Sequence, residues 1–202
     1  MVVNLFPLPG AFFDMQPLDF LNQRRSVPAR QLGPPGPDAR QLRDILAAAM
    51  RVPDHGRLAP FRILGIEGAH RLDLGRFLAE RALARDPATP ATLLEKDRQR
   101  FVHAPLVLAV IATARAHPKV PEVEQLMTAG CVCFALLQAA QALGFGAQWL
   151  TGWAARDEAV KAYLGVAPED VIAGFIHIGT ALEAAPERLR PEVAEHYSVW
   201  RG

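Results

Sequence analysis

Residues 129–143 read Ala-Gly-Cys-Val-Cys-Phe-Ala-Leu-Leu-Gln-Ala-Ala-Gln-Ala-Leu, apolar around nearly the whole turn of a helix. A helix without a polar face has no side to turn to water, so it belongs at the centre of a domain. Pro118 and Pro121 precede it, a start near Glu122 gives a long helix over 122–143, and Gly144 ends it. The apolar part carries Gln138 and Gln141 and is shorter than the roughly 20 residues of a membrane span. The chain therefore reads as a soluble domain built around one buried helix.

The remaining elements follow from periodicity and punctuation. Pro17 opens a helix over 17–23, and Asp38 caps a second whose buried stripe is Leu42, Ile45, Leu46 and Ala49, with Gln41 placed to reach back to the cap. The Gly-Pro-Pro-Gly-Pro run within 30–37 reads as a stiff connection. Strands are expected at 61–66, 106–112, 145–150 and 171–179, and further helices at 70–84, 90–102 and 155–164. The nearly continuous apolar run 106–112 suits a strand covered on both faces. The expected fold class is α+β, with a sheet of about four strands flanked by helices. Residues 1–16 read as an N-terminal extension, 17–182 as the domain and 183–202 as a tail. Tyr197 and Trp200 in that polar tail suggest docking on a second subunit.

Composition narrows the class. Among 202 residues, 22 basic and 21 acidic side chains leave a net charge of +1, which gives no reason to expect nucleic acid or an acidic membrane as partner. Cys131 and Cys133 are two apart on a helix, so they point about 200° from each other and read as small core hydrophobes. Without a disulfide framework a reducing compartment, the cytoplasm, fits. Residues 1–13 lack the basic region and small-residue cleavage site of a signal peptide.

Several chemistries drop out. Gly144-Phe145-Gly146 has Trp149 in the third glycine position and lies between helix and strand in the wrong order for a dinucleotide site. No phosphate-binding Lys-Ser or Lys-Thr loop and no Gly-x-Ser-x-Gly elbow occur. The six histidines lack metal-ligand spacing, and His177 in an apolar strand reads as a hydrogen-bonded core residue. Asp54-His55 resembles half of a catalytic dyad but has no nucleophile to serve.

Two basic clusters remain: Arg24-Arg25-Ser26 and Arg51-Val52-Pro53-Asp54-His55. Both fall where a helix meets a loop. Guanidinium groups grip phosphate bidentately, and Ser26 adds a hydroxyl. Spacing alone fits solvated basic helix ends equally well. Arginines for a phosphate, with no nucleophile, base or metal, suggest that a bound cofactor carries the chemistry.

In this setting the chain resembles the nitroreductase-like, FMN-dependent oxidoreductases, in their short single-domain branch. The matching pieces are Phe20-Leu21-Asn22-Gln23-Arg24-Arg25-Ser26, the segment from Ile45 through His55, His117 through Gln125 leading into Ala129-Gly130-Cys131, Gly144 through Gly152, and Gly174 through Thr180. They occur in family order. The resemblance implies a homodimer with two FMN sites, each built from both subunits. Arg24, Arg25 and Ser26 would serve the phosphate and ribityl chain, Arg51 and His55 would approach the isoalloxazine from the partner, and Trp149, Leu150 and Thr151 would lie along the ring or its pyrimidine edge. The implied activity is hydride transfer from NADH or NADPH through FMN to a nitroaromatic, quinone or flavin, in ping-pong order. The alternatives are another reaction on the same fold, such as dehalogenation or flavin fragmentation, and a flavin-binding module with little turnover.

Departures from the pattern also stand out. Pro28 replaces a further Arg, leaving Arg30 or Arg51 to supply charge near flavin N1, and Ala59-Pro60-Phe61 stands where Gln-Pro-Trp is usual. Arg188 or Arg190 could reach the phosphate, but the tail aligns too poorly to assign either.

Overall fold

The computed structural model describes residues 16–202. The reading of residues 1–13, and the extension at 1–16 apart from Gln16, lie outside the described residues. Strand β1 is Leu32–Gly33, β2 Phe61–Glu67, β3 Leu106–Ala112, β4 Gly146–Leu150 and β5 Val171–Ala181. All pairings are antiparallel: β3 lies between β2 and β5, β4 pairs with β5, and β1 joins the end of β5 with Gly33 opposite Thr180. Among the described residues the sheet has five strands, where about four were expected. The addition, β1, hides in the connection at 30–37, where two residues show no alternation to read.

Strand β3 explains its own composition. Val107, Ala109 and Ile111 face one core while Leu106, Leu108, Val110 and Ala112 face another, so every residue is buried. The first core is filled by α3 (His70–Arg85), Phe101 and α6 (Glu158–Tyr163), the second by α2 (Ala39–Ala49) and α5 (Glu122–Ala142). The capping box of α2 forms as expected, with Asp38 accepting from the Gln41 N–H at 2.7 Å and the Gln41 amide oxygen accepting from the Asp38 N–H at 2.9 Å.

Helix α5 differs from expectation. Val132, Cys133, Leu136 and Ala140 are buried, yet Val123, Leu126, Met127 and Phe134 form an exposed apolar stripe along it. Its 21 residues are long and apolar enough to cross a membrane by length and composition alone, a test that a helix in the core of a domain also passes. Half of its most apolar stretch is buried against the sheet and α2.

Two other helices are shorter than expected. Helix α4 covers only Ala91–Arg98; the chain leaves it in turns over 99–102, and the Arg71 guanidinium takes the carbonyls of Phe101, Val102 and Ala104 that follow. Helix α6 begins at Glu158 because the Asp157 carboxylate caps it, accepting from the N–H groups of Ala159 and Val160 at 3.0 and 3.2 Å, with a 3-10 turn at Ala154–Arg156 before it. Burial pushes the Cys133 thiol up to about 12, so it behaves as a core hydrophobe; Cys131 is half-buried. His177 is buried, but neither ring nitrogen has a hydrogen-bond partner among the described residues. Its ring stacks on Phe101, with centroids 5.5 Å apart. The expected hydrogen bond is thus replaced by packing of a neutral imidazole.

Candidate functional site

Helix α1 (Pro17–Gln23) ends at Arg24, whose N–H bonds back to Leu21. Arg24 and Arg25 are half-buried and Ser26 is exposed. The Arg24 Nη1 donates to Ser26 Oγ at 3.2 Å, so these two side chains share one patch. Arg25 is committed elsewhere: its Nε donates to Glu187 at 2.7 Å, and its Nη1 donates to the carbonyls of Asn22 and Arg24, each at 3.1 Å. Gln141 of α5 holds the Arg25 carbonyl through its amide.

The tail, poorly aligned in the sequence, returns to this patch. Arg190 donates to the Arg24 carbonyl at 3.4 Å, and Glu187 binds Arg25. Partial burial lowers the pKa of Arg24, and the charges of Arg190, Arg25 and Arg188 lower it further. Cations gathered without enough anions are a donor set suited to a phosphate. Arg188 and Arg190 are the cluster members that the family resemblance pointed to but left unassigned, because the tail aligns poorly.

Strand β4 joins the patch to the aromatic end of the site. The Val27 N–H donates to the Ala147 carbonyl at 3.1 Å, and the Ala29 N–H donates to Gln148 Oε1 at 2.6 Å. Two residues beyond Ala147 stands Trp149, partly exposed, its indole N–H donating to the Ala173 carbonyl at 3.1 Å. The indole lies so close to Gly174 that a Cβ there would overlap it. Leu150 is half-buried and Thr151 exposed at the strand's end. Arg24, Ser26, Trp149, Leu150 and Thr151 are thus linked through one strand and its neighbour.

Arg51 and His55 belong to a separate structure. No hydrogen bond or ion pair joins either to the Arg24 patch among the described residues. Their loop is held against the start of α5, where the Thr128 hydroxyl donates to the Pro53 carbonyl at 3.2 Å and His55 Nδ1 meets Glu124 at 2.7 Å. Asp54 does not pair with His55. Its carboxylate accepts from the N–H groups of Leu58 and Ala59 at 3.3 and 2.8 Å. Those bonds stabilise a run in which Gly56, Arg57 and Ala59 have φ of 75°, 54° and 47°. Two non-glycine residues in the left-handed region mark a loop kept in one unusual shape. Asp54 and Glu124, which set that shape, both lie in segments that matched the family pattern, but neither was named for this holding role.

Comparison with known proteins gives a consistent result. The model of the family described as "Nitroreductase family" matches residues 21–180. The chain is 37% identical over 166 residues to "Putative NAD(P)H nitroreductase YdjA" of Escherichia coli (strain K12), an alignment covering 82% of this chain and 88% of that protein. Among solved structures, the nitroreductase-like family protein from Bacillus cereus superposes with a TM-score of 0.77 at 20% identity, covering 93% of this chain and 97% of that one. A nitroreductase with bound FMN from Bacteroides fragilis gives 0.67 at 22% identity, covering 91% and 98%.

Proposed function

The chain belongs to the nitroreductase family, and we propose that it is a cytoplasmic, FMN-dependent NAD(P)H oxidoreductase acting as a homodimer. One observation carries this reading: Arg24, Ser26, Arg188 and Arg190 converge at the end of α1, in a cluster whose mutual repulsion an anion would relieve. The similar proteins support it, one named "Putative NAD(P)H nitroreductase YdjA" and one holding FMN.

When bound, FMN would supply the hydride chemistry between NADH or NADPH and a nitroaromatic, quinone or flavin acceptor, in ping-pong order. The chain supplies the setting. Arg24 and Ser26 hold the phosphate and ribityl chain, and Arg25, locked to Glu187, keeps the turn that presents them. Trp149, Leu150 and Thr151 would line the ring, with Trp149 pinned to Ala173. Arg51 and His55 act from the partner, which agrees with their standing apart from the Arg24 patch within one chain. Positive charge from Arg51 would stabilise the negative charge that reduction places on the ring.

Two exposed apolar features support the dimer. The stripe of Val123, Leu126, Met127 and Phe134 on α5 suits a second copy of the same helix, and Tyr197, Val199 and Trp200 stand exposed on the tail, ready to pack on a partner. The test is direct. Cofactor released by heat should chromatograph as FMN, and NAD(P)H should be oxidised steadily when a nitroaromatic is supplied. FAD, or no flavin after incubation with FMN, overturns the proposal.

A further inference from the structure

A cavity of about 480 Å³ lies between the C-terminal half of α3, the turn after it, α4 and Trp153. It shares no residue with the Arg24 patch or the Arg51 loop, and its volume is that of a small-molecule site. Its walls are specific. The Trp153 indole is fixed by its N–H, which donates to Asp97 Oδ1 at 3.2 Å, and Asp97 is itself buried and held by the Arg100 Nε at 3.1 Å. The Arg85 guanidinium lies over the Trp153 ring, 5.2 Å from its centroid. A guanidinium stacked on an indole presents a flat cationic face on which a purine can stack.

The charges around this face are unequally satisfied. Asp97 is committed to Arg100, and Asp157 to Arg81 at 3.0 Å. Arg85 reaches Asp157 only at 3.7 Å, and Lys96 has no ion pair among the described residues. Two cations with unspent charge beside a flat stacking surface match the chemistry of a nucleotide, a phosphate next to its base. The cavity also adjoins the end of β4. Arg100 stands against Gly152, where a Cβ would lie 3.3 Å from its Nη1, and Gly152 follows Thr151.

We propose that this cavity binds the adenosine-phosphate end of the nicotinamide cosubstrate, with Arg85 and Lys96 on the phosphate and the Arg85–Trp153 stack under the adenine. The inference rests on the flavin reading above, which puts Thr151 beside the ring where the nicotinamide end must arrive.

The probe is adenosine 2′,5′-bisphosphate, titrated calorimetrically into FMN-loaded protein, in which the bound flavin keeps the probe from the Arg24 patch. One probe per chain is expected. Its affinity should fall about tenfold or more in Arg85→Ala/Lys96→Ala, the loss expected for about 1.4 kcal/mol or more of phosphate contact. Lys96→Glu, an exposed position, should weaken binding without affecting the fold, and the KM for NADPH should rise with the probe's dissociation constant. Equal binding by wild type and the double variant, or no binding by wild type, overturns the inference. So does probe binding lost in Arg24→Ala and kept in the double variant. Protein that takes up no FMN would fail the flavin reading itself, a result visible in its absorbance before any probe is added.

Discussion

Arg190 donates from its guanidinium to the backbone carbonyl of Arg24, 3.4 Å away and 166 positions earlier in the chain. The contact makes the tail part of the basic patch. With Glu187 holding Arg25 from the same segment, the end of α1 is enclosed by residues that no local motif connects to it. An anion placed there meets guanidinium groups from both ends of the domain.

If Arg24 pairs with the FMN phosphate, its removal leaves a dianionic group short of a partner. Arg24→Ala should cost about 2 kcal/mol or more, roughly 30-fold in FMN affinity. Arg24→Lys should recover only part of this, because the bidentate geometry is lost. Titration of apo-protein with FMN reads both numbers. Unchanged affinity in Arg24→Ala, with the fold intact by circular dichroism, removes Arg24 from the site.

The exposed stripe on α5 leads to a second expectation. Light scattering should give twice the 22.0 kDa mass of the chain. Met127→Asp puts a charge into the middle of the stripe, where burial in an interface would strip its water without a partner. The variant should move toward monomer at micromolar concentration and lose FMN with it, since Arg51 and His55 of each proposed site come from the partner. A monomer that retains FMN would contradict the two-subunit site.

Much of this was legible in the residues, and the parts that were not share a cause. Strand β3 and the capping box of α2 were readable because period and cap chemistry are local. Strand β1 was not, since Leu32 and Gly33 become a strand only through pairing with Ala181 and Thr180. The Asp157 cap broke a helix that its apolar spacing favoured. At the site, Arg24 and Ser26 were named by motif, whereas Arg188, Arg190 and Glu124 enter through contacts across the whole domain. The apolar circumference of α5 suits a core helix, but sequence alone does not distinguish a face buried in its own domain from one left for another chain.

Gly174 is a sharp test of how Trp149 is held. A Cβ there would overlap the indole Nε1, and the neighbouring bond from that N–H to the Ala173 carbonyl would break. Gly174→Ala should therefore destabilise the chain by about 1–3 kcal/mol, the usual cost of overpacking a rigid contact. It should also shift the tryptophan emission of the folded protein. Denaturant titration with fluorescence detection measures both, and a variant as stable as wild type with unchanged emission would show that the indole is not fixed against β5.

His177 makes the chain's stability depend on pH. Burial lowers its pKa from 6.5 to about 4, and the charges of Arg100 and His103 act in the same direction. The folded imidazole stays neutral in a window where the unfolded one takes a proton, so the unfolded state binds more protons between about pH 6.5 and 4. Stability from this group is complete above pH 6.5, falls as pH drops through that window and changes no further below about pH 4. Between pH 7.5 and 4.5 the loss should be about 2.5 kcal/mol for a shift of this size. His177→Leu keeps the buried volume and has nothing to titrate. Guanidinium chloride unfolding of the two proteins across this range should give stability curves that diverge by that amount as the acid limit is approached. Parallel curves would mean that His177 charges as readily folded as unfolded, which its packing against Phe101 without a hydrogen-bond partner does not allow.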